Sequence, residues 1–417
     1  MWTSFDSQQL WRESKLVQRR NPERIAWVVL LLAFVGFCLI VAGVPLGIRW
    51  YLLNAEEELT ALVEPLVGTV VVEPSLGSGP TPLSKGQSMA VSEGTVIRMD
   101  ETSEAVVTFF DHSFMRLFSK TTVRLDRLRA PRFGMSPLAN SVHLSLLGGY
   151  IRIGTALSLD APLDFRVNAL QGETLLDADG SYALQASNER AEIATYRGRA
   201  RVRASGTEVE LNPRQRTQVA LGQAPQPATG VARNLLTNGD FRESLDIGWR
   251  TFNDQGTDGG SVDGHVDLVV DEGRKAVKLW RSGGQGNHCE TVLEQTIDQR
   301  LPDPVTSLVV RATVKLRYQS LSGGGYLSSE YPLMIRLTYR DVYDSETEWI
   351  QGFYYQNVDG NLTTYGQQLP RDRWNFFESG NLLETLPIKP FKIVRLRVYA
   401  SGWDYESLIS DISLTAE

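Results

Sequence analysis

Aromatic and acidic side chains stand close together on one Gly- and Ser-rich stretch of the sequence, SLSGGGYLSSEYP, at residues 320–332. Its contact residues would be Tyr326, Glu330 and Tyr331. A sugar ring can stack on an aromatic ring while a carboxylate accepts hydrogen bonds from its hydroxyls. Loops of this length between two strands are uncommon and often functional. The stretch therefore predicts a mobile, glycan-binding surface loop.

Further aromatic residues of the C-terminal half extend this candidate site. Trp349 and Trp403 are the tryptophans we predict as additional sugar platforms. Large aromatic side chains also fill protein cores and interfaces. For each of these rings, the sequence leaves a place in the core as the alternative to ligand binding.

Catalytic motifs do not account for these residues. Residues 111–113, Asp-His-Ser, have the residue types of a hydrolase triad, but neighbouring residues of a strand point to opposite faces and cannot align for catalysis. The sequence contains no P-loop, H-E-x-x-H or G-x-S-x-G motif. We therefore predict that the protein is not an enzyme.

Composition limits the class of protein. The chain has 417 residues, which suits two or three domains, and its 42% hydrophobic residues indicate globular structure. A net charge of −7 argues against a nucleic-acid-binding protein, because such a protein needs a basic face. The two cysteines, Cys38 and Cys289, lie far apart in different contexts, so we expect no internal disulfide.

Residues 25–48 carry no charge and are almost entirely apolar. As a helix they would extend about 36 Å, enough to cross a hydrocarbon core of about 30 Å. A buried helix of a soluble protein and a cleaved signal peptide are the alternatives. The run is long for a signal peptide, and no A-x-A cleavage site follows it. We predict a single transmembrane helix.

The charges that flank this segment predict its orientation. Five basic residues precede it, whereas Arg49 and then the acidic residues 56–58 follow it. The positive-inside rule then places residues 1–24 in the cytoplasm and everything after about residue 50 outside. The tail is either a topogenic signal or a short contact for a partner or anionic headgroups. The five basic residues are Arg12, Lys15, Arg19, Arg20 and Arg24.

After a juxtamembrane segment at residues 49–66, the sequence is typical of β-structure. Residues 67–220 hold short runs rich in Val, Ile, Thr and Phe, many alternating with polar residues. Glycines interrupt these runs about every ten residues. We expect an all-β domain, either a sandwich or a stacked strand solenoid.

The order of these runs resembles the FecR-type domain of bacterial envelope proteins. That resemblance implies an extracytoplasmic β-domain and, as a functional alternative, a relay of an external signal to a sigma factor. His112 stands where the family has a turn glycine, so we expect a different turn here. The matching residues are 68–70, 83–86, 93–96, 103–109, 111–113, Leu117, Leu125, 147–151, 165–167, 196–202 and 209–211, with Gln215 at the closing piece.

Residues 221–233 are rich in Pro, Gly and Gln and read as a linker. The next stretch, NLLTNGDFRESLDIGW at residues 234–249, has a turn at Asn238-Gly239 and large apolar anchors in Phe241 and Trp249. It resembles the first strand of galactose-binding-like jelly rolls, which include many carbohydrate-binding modules. The resemblance covers residues 234–417 and implies an independent β-sandwich whose last strand pairs with its first.

The same resemblance implies a structural calcium ion near the two ends of the sandwich. Asp240 and Asp411 would supply the side-chain oxygens. The alternative is that both are ordinary polar turn residues. No cofactor is otherwise expected.

The sequence thus predicts a mainly β, membrane-anchored protein of a bacterial envelope that binds or scaffolds outside the cytoplasm. A cell-surface or extracellular glycan is the expected ligand, alongside an envelope protein as an alternative partner. The competing hypothesis is a FecR-like transmembrane signal regulator.

Overall fold

The computed structural model describes residues 22–75, 79–157, 161–169, 172–230, 233–257, 260–302 and 304–417. Residues 1–21 of the predicted cytoplasmic tail therefore lie outside the described residues. As predicted, the chain is mainly β, with a long N-terminal apolar helix and β-sandwich sheets. It divides into two compact units.

The first unit contains helix α1 (Pro22–Asn54) and the segment Pro131–Pro137. The helix ends six residues beyond the predicted span. Within the part of the chain that the structure describes, α1 is the one helix long and apolar enough to cross a membrane, a test that a signal sequence also passes. The Tyr51 ring packs edge-on against Phe133, with centroids 5.9 Å apart, and Arg132 N–H donates to the Ala55 carbonyl.

The second unit begins with a closed barrel of β-strands. Residues 56–66, predicted as a juxtamembrane segment, form its first two strands. Its strands are β1 (Glu56–Glu58), β2 (Ala61–Val67), β3 (Thr69–Glu73), β4 (Thr81–Ser84), β5 (Met89–Val91), β6 (Val96–Met99), β7 (Glu104–Thr108), β8 (Phe114–Leu117), β9 (Thr122–Pro131), β10 (Asn140–Gly154), β11 (Leu163–Ala169), β12 (Gly172–Leu176), β13 (Ser181–Ala186), β14 (Arg190–Arg197), β15 (Ala200–Ala204), β16 (Thr207–Leu211), β17 (Gln215–Ala220) and β18 (Thr229–Gly230).

The strands of the barrel are arranged in two sheets, and strand β10 belongs to both of them. Its first half pairs with β9 and β11, and its second half pairs with β8 and β13. Gly149 bends the strand with φ +97, and a Cβ there would lie 2.5 Å from Thr121 Cα. The apolar residues in the barrel core are even-numbered before the bend (142, 144, 146) and odd-numbered after it (151, 153). The two glycines at residues 148–149 therefore let both halves face the core.

The turn at His112 differs from the sequence expectation. His112 has φ +64, in the left-handed region that a glycine would also supply. The inference that histidine requires another kind of turn was therefore wrong. Asp111 holds the turn, because its carboxylate accepts from both the N–H and the hydroxyl of Ser113.

The rest of the second unit is a sandwich of two six-stranded sheets. The sheet named here the barrel-side sheet has the order β21-β22-β30-β24-β28, with β19 pairing on β30. The outer sheet has the order β20-β23-β29-β25-β26-β27. A one-turn helix, α2 (Leu382–Thr385), precedes β29. The strands are β19 (Arg233–Asn234), β20 (Arg250–Asp254), β21 (His265–Asp271), β22 (Arg274–Arg281), β23 (Cys289–Arg300), β24 (Leu308–Gln319), β25 (Leu333–Asp341), β26 (Glu346–Tyr354), β27 (Gly366–Gln368), β28 (Asn375–Glu378), β29 (Pro390–Gly402) and β30 (Tyr405–Ala416).

The opening of the sandwich follows the sequence expectation. Asn238 has φ +48, and its carbonyl accepts the indole N–H of Trp249 at 3.0 Å. Phe241 and Trp249 are buried in the sandwich core, with ring centroids 5.7 Å apart. The first strand, β19, pairs with the last, β30, as predicted.

The barrel-side sheet packs against the barrel through a shared apolar cluster. The Phe114 ring of the barrel lies 4.5 Å from that of Phe376 in β28. Buried Arg274 donates across the junction to the Gly154 carbonyl at 2.5 Å. Among the described residues, ion pairs and hydrogen bonds from the barrel reach the barrel-side sheet and its flanking loops. The cluster comprises Leu66, Val106, Phe114, Ala276, Trp374, Phe376 and Leu408.

Candidate functional site

The outer sheet carries side chains on two faces, because residues along a strand alternate. One face packs into the sandwich core through residues such as Leu293, Ile335 and Val398. The opposite side, named here the outer face, points away from that core. Since the barrel covers the barrel-side sheet, the outer face is the broad side of the sandwich that the barrel leaves uncovered.

Strand register arranges the outer face in rows that cross the sheet. An apolar row contains Phe252, Val292, Tyr399 and Met334. The next row contains Arg250, Glu294, Arg397 and Arg336. A third row contains Thr296, Arg395, Thr338 and Glu348.

Tyr399 lies at the centre of the apolar row. Its hydroxyl accepts a hydrogen bond from Arg336 Nη2 at 2.8 Å, and the Arg336 guanidinium lies over its ring at 4.8 Å. Burial raises the pKa of Tyr399 to about 12, so the phenol stays neutral. Half-buried Phe252 at the edge strand lies beneath two guanidinium groups, those of Arg250 and Arg397.

The charged rows are held by ion pairs among their own members. Glu294 is buried and bonds both Arg250, at 3.1 Å, and Arg397. Arg336 lies 3.7 Å from Glu348. The Nε atoms of Arg336 and Arg395 are buried and lie 3.7 and 3.9 Å from carboxylate oxygens of Glu348 and Glu294. The ion pairs therefore hold these guanidinium groups in position.

Glu290 adds a carboxyl group beyond the apolar row. Burial raises its pKa, while the charges of Arg336 and His288 lower it, and the net shift is upward. A half-buried carboxyl of raised pKa beside guanidinium donors can accept or donate hydrogen bonds to hydroxyl groups. Tyr399 itself is fully buried, so the outer face offers the half-buried ring of Phe252 together with fixed donors and acceptors, the chemistry that recognises a sugar ring.

The structure separates the residues that the sequence placed on the loop at 320–332. Tyr326 is 87% exposed at its tip, whereas Tyr331 is fully buried. The predicted role of Tyr331 as a contact residue is therefore wrong. Its ring packs on three glycines, Gly324, Gly352 and Gly366, and its hydroxyl bonds Ser328 Oγ at 2.6 Å.

The loop itself is tied to its surroundings rather than loosely attached. Glu330 Oε1 lies 2.7 Å from His288 Nδ1, which holds the carboxylate against the neighbouring loop. Ser322 Oγ contacts Asn357 and accepts from Asp359 N–H. These hydrogen bonds attach the loop to its neighbours at several points, and its small residues allow close backbone packing.

The two tryptophans occupy different environments. Trp349 is half-buried and packs against the sandwich core, where its ring stacks with Phe377 at 6.3 Å. It pairs in register with core-facing Leu337, so it lies on the opposite side of the sheet from the outer face. Trp349 therefore lies apart from the outer face. Trp403 is 41% exposed in the β29–β30 turn, and its carbonyl accepts from Arg281.

Asp240 and Asp411 do not form the calcium site that the resemblance implied. Calcium takes six to eight oxygen ligands, and no group of three or more His, Cys, Asp or Glu suited to a metal occurs among the described residues. Asp240 lies 3.6 Å from Arg242, and arginines line the same cavity. Burial raises the pKa of Asp411, partly offset by Arg197 and Arg152. Guanidinium groups repel a cation, so the donor set does not fit calcium.

The sequence analysis selected loop residues and did not identify the residues of the outer face, although the strand sequences indicate them. Arg395, Arg397 and Tyr399 alternate with apolar residues in β29, as Arg336 and Thr338 do in β25. Arginine at every second position of two adjacent strands predicts a charged sheet face. Which strands are adjacent depends on the topology.

No protein-family model and no curated protein matches the chain. Solved structures resemble parts of it. A proposed anti-sigma factor from Parabacteroides distasonis ATCC 8503 is 16% identical, with 33% of this chain and 59% of that chain covered and a TM-score of 0.26. The family 11 carbohydrate-binding module of a cellulosomal cellulase of Clostridium thermocellum is 7% identical, covering 45% and 97%, with a TM-score of 0.28.

A proposed sugar-binding protein from Bacteroides thetaiotaomicron VPI-5482 is 11% identical, with 44% of this chain and 100% of that chain covered and a TM-score of 0.28. The chain thus spans less than two thirds of the anti-sigma factor structure, and all three TM-scores are below 0.5. The function proposed below rests on this chain's own residues.

Proposed function

We propose that the protein is a membrane-anchored, glycan-binding protein of a bacterial envelope and that its glycan binds the outer face. The observation that carries this proposal is the half-buried ring of Phe252, which lies beneath the guanidinium groups of Arg250 and Arg397 on the outer face. Tyr399 is buried beneath this surface, where it holds Arg336 in position.

The charge of the outer face favours a neutral glycan. Basic residues and carboxylates face each other across its rows, so their charges largely offset one another. Each guanidinium group has five N–H donors, so neutral hydroxyls can bond exposed N–H groups without breaking the ion pairs. The residues are Arg250, Arg336, Arg340, Lys392, Arg395 and Arg397 with Asp254, Glu290, Glu294, Glu346 and Glu348.

A glycan array probed with the full chain in detergent tests this function. The variant Arg336→Gln removes the guanidinium that bonds Tyr399, and we expect it to weaken binding to any selected neutral glycan about tenfold, the value of one charged hydrogen bond. Arg201→Gln is the matched control, because Arg201 lies on the exposed side of β15 in the barrel, away from the outer face. Binding that both variants leave unchanged, or an array without a bound glycan, would refute the proposal.

Anchoring rests on α1, whose side chains are exposed along nearly its whole described length. Apolar residues in such a position require lipid or a partner. We propose the orientation given by the flanking charges, with the β-structure outside the cytoplasm. Protease added to spheroplasts should digest the chain after about residue 60, and full protection would reverse this orientation. The signal-regulator alternative stays a prediction, because its cytoplasmic contact would fall on residues 1–21.

A further inference from the structure

A cavity lies at the junction of the barrel and the sandwich, and it shares no residue with the outer face. Its volume is about 340 Å³, at the small end of the range for ligand sites. Five arginines line it: Arg152, Arg197, Arg214, Arg242 and Arg311. The barrel supplies the first three and the sandwich the other two.

The charge of this cavity is positive. Its lining contains five arginines and two aspartates, Asp240 and Asp411, which gives a formal charge of +3 (5 − 2). Glu378 and Asp179 pair with lining arginines from outside and reduce the sum to +1. Even fully paired, the junction retains an excess of guanidinium charge, unlike the balanced outer face.

The arginines form a gradient from solvent to the interior. Arg214 is exposed, and the Arg242 side chain is 43% exposed. The Arg311 side chain is more enclosed, and those of Arg152 and Arg197 are almost completely buried. An anion entering past Arg214 and Arg242 would meet increasingly desolvated guanidinium groups, where charge-assisted hydrogen bonds are strongest.

The remaining lining indicates more than a bare oxyanion. Asn234, Thr313, Ser413 and Tyr196 supply amide and hydroxyl groups around the arginines, whereas the amide of Asn238 is bonded to the backbone of its own turn. The two aspartates can accept hydrogen bonds from hydroxyls that approach them. We propose that the junction cavity binds a uronate, a sugar ring that carries one carboxylate, with the carboxylate on the arginines and the ring hydroxyls on the Asn234 amide and the aspartates.

Binding at this position would join the barrel to the sandwich. A uronate in contact with Arg214 from one side and Arg311 from the other binds the assembled junction better than the separated parts. It should therefore raise the melting temperature in a concentration-dependent manner.

The test uses the full chain in detergent, with melting temperature and titration calorimetry as readouts. The probes are D-galacturonate, D-galactose, inorganic phosphate and calcium chloride. We expect galacturonate to bind and raise the melting temperature, and galactose and calcium to do neither at the same concentration. Calcium stabilisation without a galacturonate effect, or phosphate acting as strongly as galacturonate, would overturn the uronate assignment.

Variants place the site. Arg214→Asn removes the exposed guanidinium and keeps a residue tolerant of the positive φ of +64. We expect about tenfold weaker galacturonate binding, the value of one charged hydrogen bond. Arg201→Asn, on the exposed side of β15, is the matched control. If both variants bind galacturonate equally well, the ligand does not bind in this cavity. Arg336→Gln should leave galacturonate binding intact, so the two sites can fail separately.

Discussion

At the scale of single residues, the loop at 320–332 shows how a buried tyrosine supports an exposed one. Tyr331 fills a space that three glycines leave open, while Tyr326 projects into solvent five residues earlier. The same substitution can be made at both tyrosines of this loop. Comparing the two variants therefore separates the effect of losing a packed ring from the effect of losing an exposed one.

Tyr331→Ala should lower the free energy of unfolding by roughly 3–5 kcal/mol, because it leaves a cavity where the ring was. Tyr326→Ala should change it by less than about 0.5 kcal/mol, as expected for an exposed position. Urea unfolding of the two variants in the same detergent measures the difference. Equal effects would mean that Tyr331 is not packed as described.

Glu378 gives the junction a dependence on acid. Burial raises the pKa of this carboxyl, but Arg311 and Arg152 lower it more, so the pKa lies below its ordinary value. A lowered pKa contributes stability above the unfolded-state pKa of about 4.3 and loses it as the pH falls through the folded-state value. We therefore expect the melting temperature to decrease as the pH is lowered beyond about 4.3.

Glu378→Gln checks this contribution. The variant should be less stable at pH 7 by roughly 3 kcal/mol, because it leaves two largely buried guanidinium groups without their carboxylate. Its melting temperature should also depend less on pH below about 4.3. A variant with the same acid sensitivity as the wild type would assign that sensitivity to other carboxylates.

At the scale of elements, periodicity made much of the fold predictable. The apolar run of α1, the alternation in β24 and β29, and the anchors Phe241 and Trp249 all depend on neighbours close in sequence. The candidate sites were harder to predict. The burial of Tyr331 depends on Gly352 and Gly366 in other strands, and the cavity arginines come from both the barrel and the sandwich. Such proximity is set by topology.

The bend in β10 is an element-scale feature that one substitution can test. Gly149→Ala should destabilise the protein by more than about 2 kcal/mol, because it combines positive φ with a Cβ that clashes with Thr121. Gly206→Ala is the matched control, since Gly206 has φ +77 but open space around it, and it should cost about 1 kcal/mol. Similar losses in both variants would show that the clash at Gly149 is relieved by movement.

At the scale of the whole second unit, the barrel and the sandwich share an apolar core through Phe114 and Phe376. A double-mutant cycle of Phe114→Ala and Phe376→Ala should give a coupling energy of about 0.5–1.5 kcal/mol. Phe114→Ala with Phe241→Ala, which belong to separate clusters, should be additive within about 0.5 kcal/mol. An uncoupled first pair would mean that the two β-structures do not pack in solution.

Strand β10 has a consequence for how the barrel opens. Because its two halves are the middle strands of different sheets, neither sheet can be lost without breaking half of this one strand. An opening that released one sheet alone would therefore require β10 to unpair along half of its length while its other half stayed paired. We expect amide hydrogens along Asn140–Gly154 to exchange through global unfolding, with one common protection free energy on both sides of Gly149. Native-state hydrogen exchange would then find a single foldon in the barrel, continuous across the bend.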